Sequence, residues 1–249
     1  MKKQLLGVNI TVNSKDEILS EIENYLKGKT KSSPFVIVTP NPEQLVYAKQ
    51  DEEFLKLLNR ADIAIPDGIG LVYAMKFIKA ALIQRISGID FMSDLVRLAN
   101  KNNWAIGLIG GRNGVGKKAL TELQSSYQNL RGWALEPEEM DEEKMAQHIA
   151  DSNTKFIFVG LGVPKQEQYI DAVKKQLLKE HAGRVVLMAV GGSFDIIAGA
   201  IPRAPDWIQK SGLEWLYRLI REPWRWKRQV QLIFFLSLVF KEKFSHTKK

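Results

Sequence analysis

The 249-residue chain contains no cysteine. Disulfides, thiolate metal sites and a cysteine nucleophile are therefore excluded, and a reducing cytoplasm is compatible with this usage. Histidine is scarce: His148, His181 and His246 are the only three, far along the chain from the glycine-rich loops described below. No D-x-D pair is present to hold a divalent ion on a nucleotide diphosphate. Long apolar runs are missing too. The strongest, Leu232 to Phe240, is nine nearly unbroken residues, against the roughly 20 needed to span a bilayer. At the N-terminus Lys2 and Lys3 precede an apolar stretch that turns polar at Asn9, Thr11 and Asn13, too early for a signal-peptide core. The expectation is a mature protein that starts at Met1.

A hydrophobic content of 45% in a chain of this length suits one large α/β domain, alone or with an appendage. Acidic residues become scarce at the C-terminus. Residues 201–249 hold 11 Lys and Arg against 4 Asp and Glu, a net of +7 out of the chain's +8, which leaves +1 for the first 200. A near-neutral body with a cationic, Trp-rich end points to an anionic partner, a membrane or a nucleic acid. No repeat, low-complexity tract or linker breaks residues 1–200. The composition shifts after Ile201-Pro202-Arg203-Ala204-Pro205, which sets the boundary between a 1–200 core and a 201–249 appendage.

Short β-branched runs alternate with helical patterns, the mark of βαβ units around a mostly parallel, Rossmann-like sheet flanked by helices. Strands are predicted at Gln4–Val12, Phe35–Val38, Ile63–Ile65, Trp104–Ile109, Phe156–Val159 and Val185–Val190, with a weaker one at Leu130–Ala134. The first helix opens at Ser14 with Glu17 three residues on, a capping box. Further helices are predicted at Pro42–Asn59, broken near Gln50, then Ile69–Ile78, Ile89–Lys101, Val115–Tyr127, Glu138–Ala150 and Lys165–Glu180.

Ligands of open parallel sheets bind beyond the carboxyl ends of the strands, so the segments just after each strand are the candidates. Thr39-Pro40-Asn41-Pro42 presents a hydroxyl and an amide on a turn that two prolines stiffen; its plainer reading is an N-cap. In Pro66-Asp67-Gly68, Asp67 is placed to take a proton from a substrate hydroxyl, or merely to cap the next helix. Gly110 to Lys118 forms a strand, glycine turn and helix of the kind that aims amides at phosphate. It is not a Walker A loop, because Lys118 replaces the Ser or Thr, and its glycine spacing departs from the dinucleotide fingerprint. Gly160 to Glu167 and Gly191 to Asp195 complete five ligand-type loops, which together argue for a nucleotide or nucleotide-sugar pocket. Cations for a metal-free site are available in Arg85, Arg112, Lys165 and the tail arginines.

In the tail, Arg218, Arg221, Arg225 and Arg228 would share one face of a continuous helix, which Pro223 could kink. Trp207, Trp215, Trp224 and Trp226 lie among them, a pairing suited to lipid headgroups. The alternative is a helix packed on the body with its arginines solvated. Nucleic acid is the less favoured partner, since the body has no recognisable nucleic-acid module.

Several runs resemble one family. They are Thr39-Pro40-Asn41-Pro42-Glu43-Gln44, Pro66-Asp67-Gly68-Ile69-Gly70, Arg85-Ile86-Ser87-Gly88, Gly162-Val163-Pro164-Lys165-Gln166-Glu167, Gly191-Gly192-Ser193-Phe194-Asp195, Arg203-Ala204-Pro205 and Gly212-Leu213-Glu214-Trp215-Leu216-Tyr217-Arg218. In order, over about residues 5–230, they look like the WecG/TagA/CpsF glycosyltransferases, glycosyltransferase family 26. The resemblance implies an inverting transferase that uses neither a metal nor another cofactor. Its best-known members move N-acetylmannosamine, or its uronic acid, from a UDP-sugar donor to undecaprenyl-diphosphate-linked N-acetylglucosamine, in wall teichoic acid or related surface-polymer synthesis. A hexose donor, another lipid-linked acceptor and a non-catalytic nucleotide-sugar sensor are the alternatives. Carried over by motif, Asp67 is the candidate base, with Thr39, Asn41, Arg85 and Gln166 in the pocket. The loop residues Gly111, Arg112, Gly162, Lys165 and Gly192 join them as substrate-binding candidates. Arg218, Arg221 and Arg225 resemble the arginines thought to close the site at the membrane. The protein is expected in the cytoplasm, held peripherally on the inner face of the cell membrane, and members of the family self-associate.

Overall fold

A computed structural model describes residues 1–245 apart from 30–32, 81–83, 137, 139–140, 181–182 and 223–225, and apart from the side chains of 210 and 227–229. Arg225, Trp224, His181 and His246 lie outside the described residues, as does the side chain of Arg228.

The predicted first strand is instead a hairpin. β1 (Lys2–Leu5) and β2 (Val8–Thr11) pair antiparallel as a separate two-stranded sheet. Leu6 and Gly7 form the turn with φ of 52° and 88°, the doubly positive conformation of tight hairpin turns. Period-2 patterning continues through this turn, so alternation alone does not reveal it.

The main sheet has six parallel strands in the order β4-β3-β8-β7-β5-β6. They are β3 (Phe35–Val38), β4 (Ile63–Ala64), β5 (Ala105–Gly110), β6 (Gly132–Leu135), β7 (Thr154–Gly160) and β8 (Val186–Ala189), each within two residues of its predicted bounds. Alternate residues of β3 feed two cores: Phe35 and Ile37 face one layer, Val36 and Val38 the other. The first layer contains α1 (Lys15–Leu26), α5 (Gly88–Lys101), α6 (Val115–Ser126) and the short α9 (Ser193–Ile197). The second contains the hairpin, α2 (Pro42–Gln50), α3 (Glu52–Arg60), α4 (Ile69–Phe77), α7 (Glu142–Asp151) and α8 (Lys165–Lys179). Ser14 and Glu17 close the expected capping box on α1, and the break between α2 and α3 falls at Asp51, which caps α3.

After residue 200 come α10 (Asp206–Ser211), α11 (Glu214–Arg221) and α12 (Trp226–Ser245). The continuous arginine-faced helix does not form. α11 ends at Arg221, and Glu222 leaves the helical region with φ −127° and ψ 72°, as a residue before proline is pushed to do. α12 returns to the body. Phe235 and Val239 enter the second core, the Phe240 ring lies 5.0 Å from Phe77, and the Leu6 amide donates to the Glu242 carboxylate at 3.1 Å. Among the described residues no helix is long and apolar enough to cross a membrane.

Candidate active site

All six strands end on one edge, and a cleft of about 1230 Å³ crosses that edge. One drug-sized ligand fills roughly 300–1,000 Å³, so the cleft has room for a donor and an acceptor together. Thr39, Asn41, Asp67, Arg85, Gly111, Arg112, Gly162, Lys165, Gln166, Gly192 and Arg218 all line it. Arg221 does not; its guanidinium lies over the Tyr217 ring, 5.5 Å from the centroid.

Asp67 follows β4 and does not cap α4: the N-cap is Gly68, with no side-chain cap bond. Its carboxyl is instead roofed by the Arg85–Gly88 segment, whose Gly88 amide hydrogen-bonds to it. A Cβ on Gly88 would lie 3.4 Å from the Asp67 Oδ2 and 3.3 Å from Thr39 Cγ2, so glycine lets that roof come close. Burial pushes the Asp67 pKa up to about 6; Arg85 and Arg218 pull it back down while Glu214 pushes it up. A carboxylate of this basicity is mostly ionised near neutral pH yet a stronger base than a solvated aspartate.

The tail is held over Asp67 by an ion pair that joins distant segments. Arg85 Nη2 donates to Glu214 Oε2 at 2.7 Å, and Nη1 donates to the Gln209 carbonyl at 3.2 Å. Gly212 has φ +76°, and a Cβ there would lie 3.1 Å from Ile69 Cγ1, so glycine lets the α10–α11 turn pack close to Ile69. Arg85 therefore acts here as a strut that holds the segment carrying Glu214 and Arg218 beside Asp67.

A second constellation is centred on Glu167, which the sequence marks only as the end of a glycine-lined loop. Glu167 is 3% exposed. Its Oε1 accepts from Gln166 Nε2 at 2.8 Å and from Gln44 Nε2 at 3.1 Å. With both amide groups turned toward this carboxyl, Gln166 Oε1 accepts the Gly191 amide at 3.0 Å and Gln44 Oε1 accepts the Asn41 amide at 3.1 Å. Asn41 in turn caps α2 through the Gln44 amide, so its plainer reading holds while it also faces the cleft. One buried glutamate thus ties together three loops that line the cleft. Burial pushes its pKa up to about 7 against the pull of those amide bonds.

The glycine loop before α6 differs from a phosphate cradle. The Gly114 amide donates to Glu136 Oε1 at 3.0 Å, and the Val115 and Gly116 amides donate to the Arg112 and Gly111 carbonyls. A Cβ on Gly116 would sit 2.3 Å from the Gly110 carbonyl oxygen, so this glycine serves helix–strand packing. Glu136, which follows β6, also lines the cleft. The cue to it in the sequence is an acidic residue twenty positions beyond Gly116. Among the described residues no three of His, Asp and Glu converge as a metal site.

A profile of the Glycosyl transferase WecG/TagA/CpsF family matches residues 3–249. The chain belongs to that family. It is a glycosyltransferase of the WecG/TagA/CpsF type. A Bacillus subtilis (strain 168) relative is 35% identical over 209 residues, 83% of this chain and 79% of its own. A Staphylococcus aureus (strain MRSA252) relative is 33% identical over 232 residues, 91% of this chain and 86% of its own. Both are named N-acetylglucosaminyldiphosphoundecaprenol N-acetyl-beta-D-mannosaminyltransferase. In this chain Asp67 is the carboxylate with a raised pKa at the tail-covered end of the cleft.

Proposed function

We propose that this glycosyltransferase moves N-acetylmannosamine from UDP-N-acetylmannosamine to the N-acetylglucosamine of a polyprenyl diphosphate, with inversion, at a membrane surface. The relatives' names support the two substrates. The observation that carries the mechanism is Asp67, a partly buried carboxyl with a pKa of about 6, set between Arg85 and Arg218 under the Gly88 amide. The acceptor hydroxyl gives its proton to Asp67 as its oxygen bonds to the anomeric carbon. The bond from that carbon to the diphosphate breaks, and UDP leaves with the electron pair. Arg112, Lys165 and the glycine loops after β7 and β8 face the leaving diphosphate and offset its charge.

The membrane enters through α12. Its inner stripe is buried, but Trp226, Val230 and Ile233 and, two turns further on, Phe240 and Phe244 lie on the opposite face, and all are exposed. Ile233 is 69% exposed. This outward apolar stripe, in a tail with a net charge of +7, suits an element lying in the headgroup layer. Because α12 is anchored on α2 and α4, docking it brings the tail-covered end of the cleft to the lipid. Asp67→Asn tests the mechanism: turnover should fall roughly 10²–10⁴-fold with UDP-sugar affinity nearly unchanged. Unaltered turnover removes Asp67 as the base.

A further inference from the structure

The cleft has two unlike ends. At the β4–β3 end stand Asp67, Glu214, Arg218 and Leu232 under the tail. At the other end, beyond β5 and β6, stands Glu136. Five strand spacings separate β4 from β6, about 24 Å, and between them the floor is low: a Cβ on Gly162 or Gly191 would meet nothing within 4 Å. A lipid-linked acceptor arrives from the tail side, so the donor lies along the floor with its sugar toward Asp67 and its nucleoside toward β6.

Glu136 is an odd residue to find in a cleft that takes a diphosphate, because an anion beside phosphates is repelled. A carboxylate suits the part of the donor that is rich in hydroxyl donors, which is the ribose. The carboxylate is held there. Gly114 donates to Oε1 at 3.0 Å beside the start of α6, and carboxylate oxygens accept further hydrogen bonds from hydroxyls. The strand–turn–helix–strand run from β5 to β6 puts this acid where parallel-sheet nucleotide folds place a ribose acceptor, despite its divergent glycine spacing.

We propose that Glu136 is a specificity-determining residue that accepts hydrogen bonds from the ribose hydroxyls of the donor nucleotide. The proposal rests on the nucleotide-sugar reading above and adds the donor's direction along the strand ends. It is tested by titrating the full chain, wild type and Glu136→Gln and Glu136→Ala, with UDP, 2′-deoxy-UDP and 3′-deoxy-UDP, with melting curves to establish that each variant is folded. A hydrogen bond to a charged group corresponds to roughly a ten- to hundredfold change in affinity. The wild type should therefore prefer UDP to at least one deoxy analogue by that factor. Glu136→Ala should lose the same factor for UDP, leave that analogue's affinity unchanged, and bring the ratio near one, with Glu136→Gln between. A preference that persists in folded Glu136→Ala, or an equal loss for all three ligands, overturns the proposal. Loss of the preference on Asp195→Asn instead would place the ribose at the β8 loop and also overturn it. Wild-type protein that binds none of the three nucleotides contradicts the donor reading itself, whereas UDP binding without a ribose preference contradicts only the assignment of Glu136.

Discussion

Asp67→Asn should make the protein more stable as well as inactive, and the gain should depend on pH. The native carboxyl holds its proton to about pH 6 against an ordinary value of 3.8. Below 3.8 both native and unfolded forms are protonated and the site costs nothing. As pH rises, the unfolded chain ionises first, so stability is lost progressively until about pH 6 and stays lost above it. Raising a pKa by one corresponds to about 1.4 kcal/mol. The penalty is then about 1.5 kcal/mol at pH 5 and about 3 kcal/mol at pH 8, as ceilings, because the carboxyl is partly open to the cleft. Asparagine has the same shape and no titration, so its advantage should grow by about 1.5 kcal/mol between these pH values. Urea unfolding of both proteins at pH 5, 6, 7 and 8 measures this directly. A variant advantage that is absent at pH 8, or flat with pH, would refute the claim that Asp67 is held in a destabilising environment.

The other expectations concern neighbouring residues. Wild-type kcat/KM for the donor should fall on acidification through about pH 6, the limb set by Asp67, in an initial-rate profile at saturating acceptor. Glu214→Gln removes the partner of Arg85 across the tail and should lower kcat about tenfold or more, with raised protease sensitivity of residues 201–221; an unchanged rate would mean the strut is dispensable. Glu167→Gln keeps an oxygen to accept from Gln44 and Gln166 but removes the titrating carboxyl. The raised Glu167 pKa makes wild-type stability fall as pH rises from 4.5 to about 7, and denaturation across that window should show the fall absent in the variant. Ile233→Asp with Phe244→Asp should abolish most sedimentation with anionic liposomes, each apolar side chain contributing roughly 1.5–3 kcal/mol, while transfer to a detergent-soluble short-chain acceptor persists.

The parallel strands were legible because short β-branched runs between helical patterns leave few other arrangements, and the loops after them marked the cleft on topology alone. What escaped was long-range. The Gln44–Glu167 bond joins residues 123 apart, and the Arg85–Glu214 pair joins residues 129 apart; both glutamates fall in runs the sequence singled out, but nothing local names the distant partner each one meets. The Leu6–Gly7 turn escaped because it sits inside one alternating run. Glu136 had a local cue, its distance from the glycine loop, but the loop's irregular spacing hid it. The tail's composition pointed to an interface and Pro223 marked where its helix could be interrupted, while the burial of Phe235 follows from packing on α2 and α4.

The most direct test offers the full chain a short-chain polyprenyl-diphosphate-N-acetylglucosamine with UDP-N-acetylmannosamine, and in parallel with its uronic acid and UDP-hexoses, with and without EDTA. The expected result is a β-linked disaccharide lipid from UDP-N-acetylmannosamine, formed equally with EDTA present and lost in Asp67→Asn. Product from another donor alone would contradict the assigned sugar, and UDP-sugar binding with no product from any donor would contradict transfer to this acceptor.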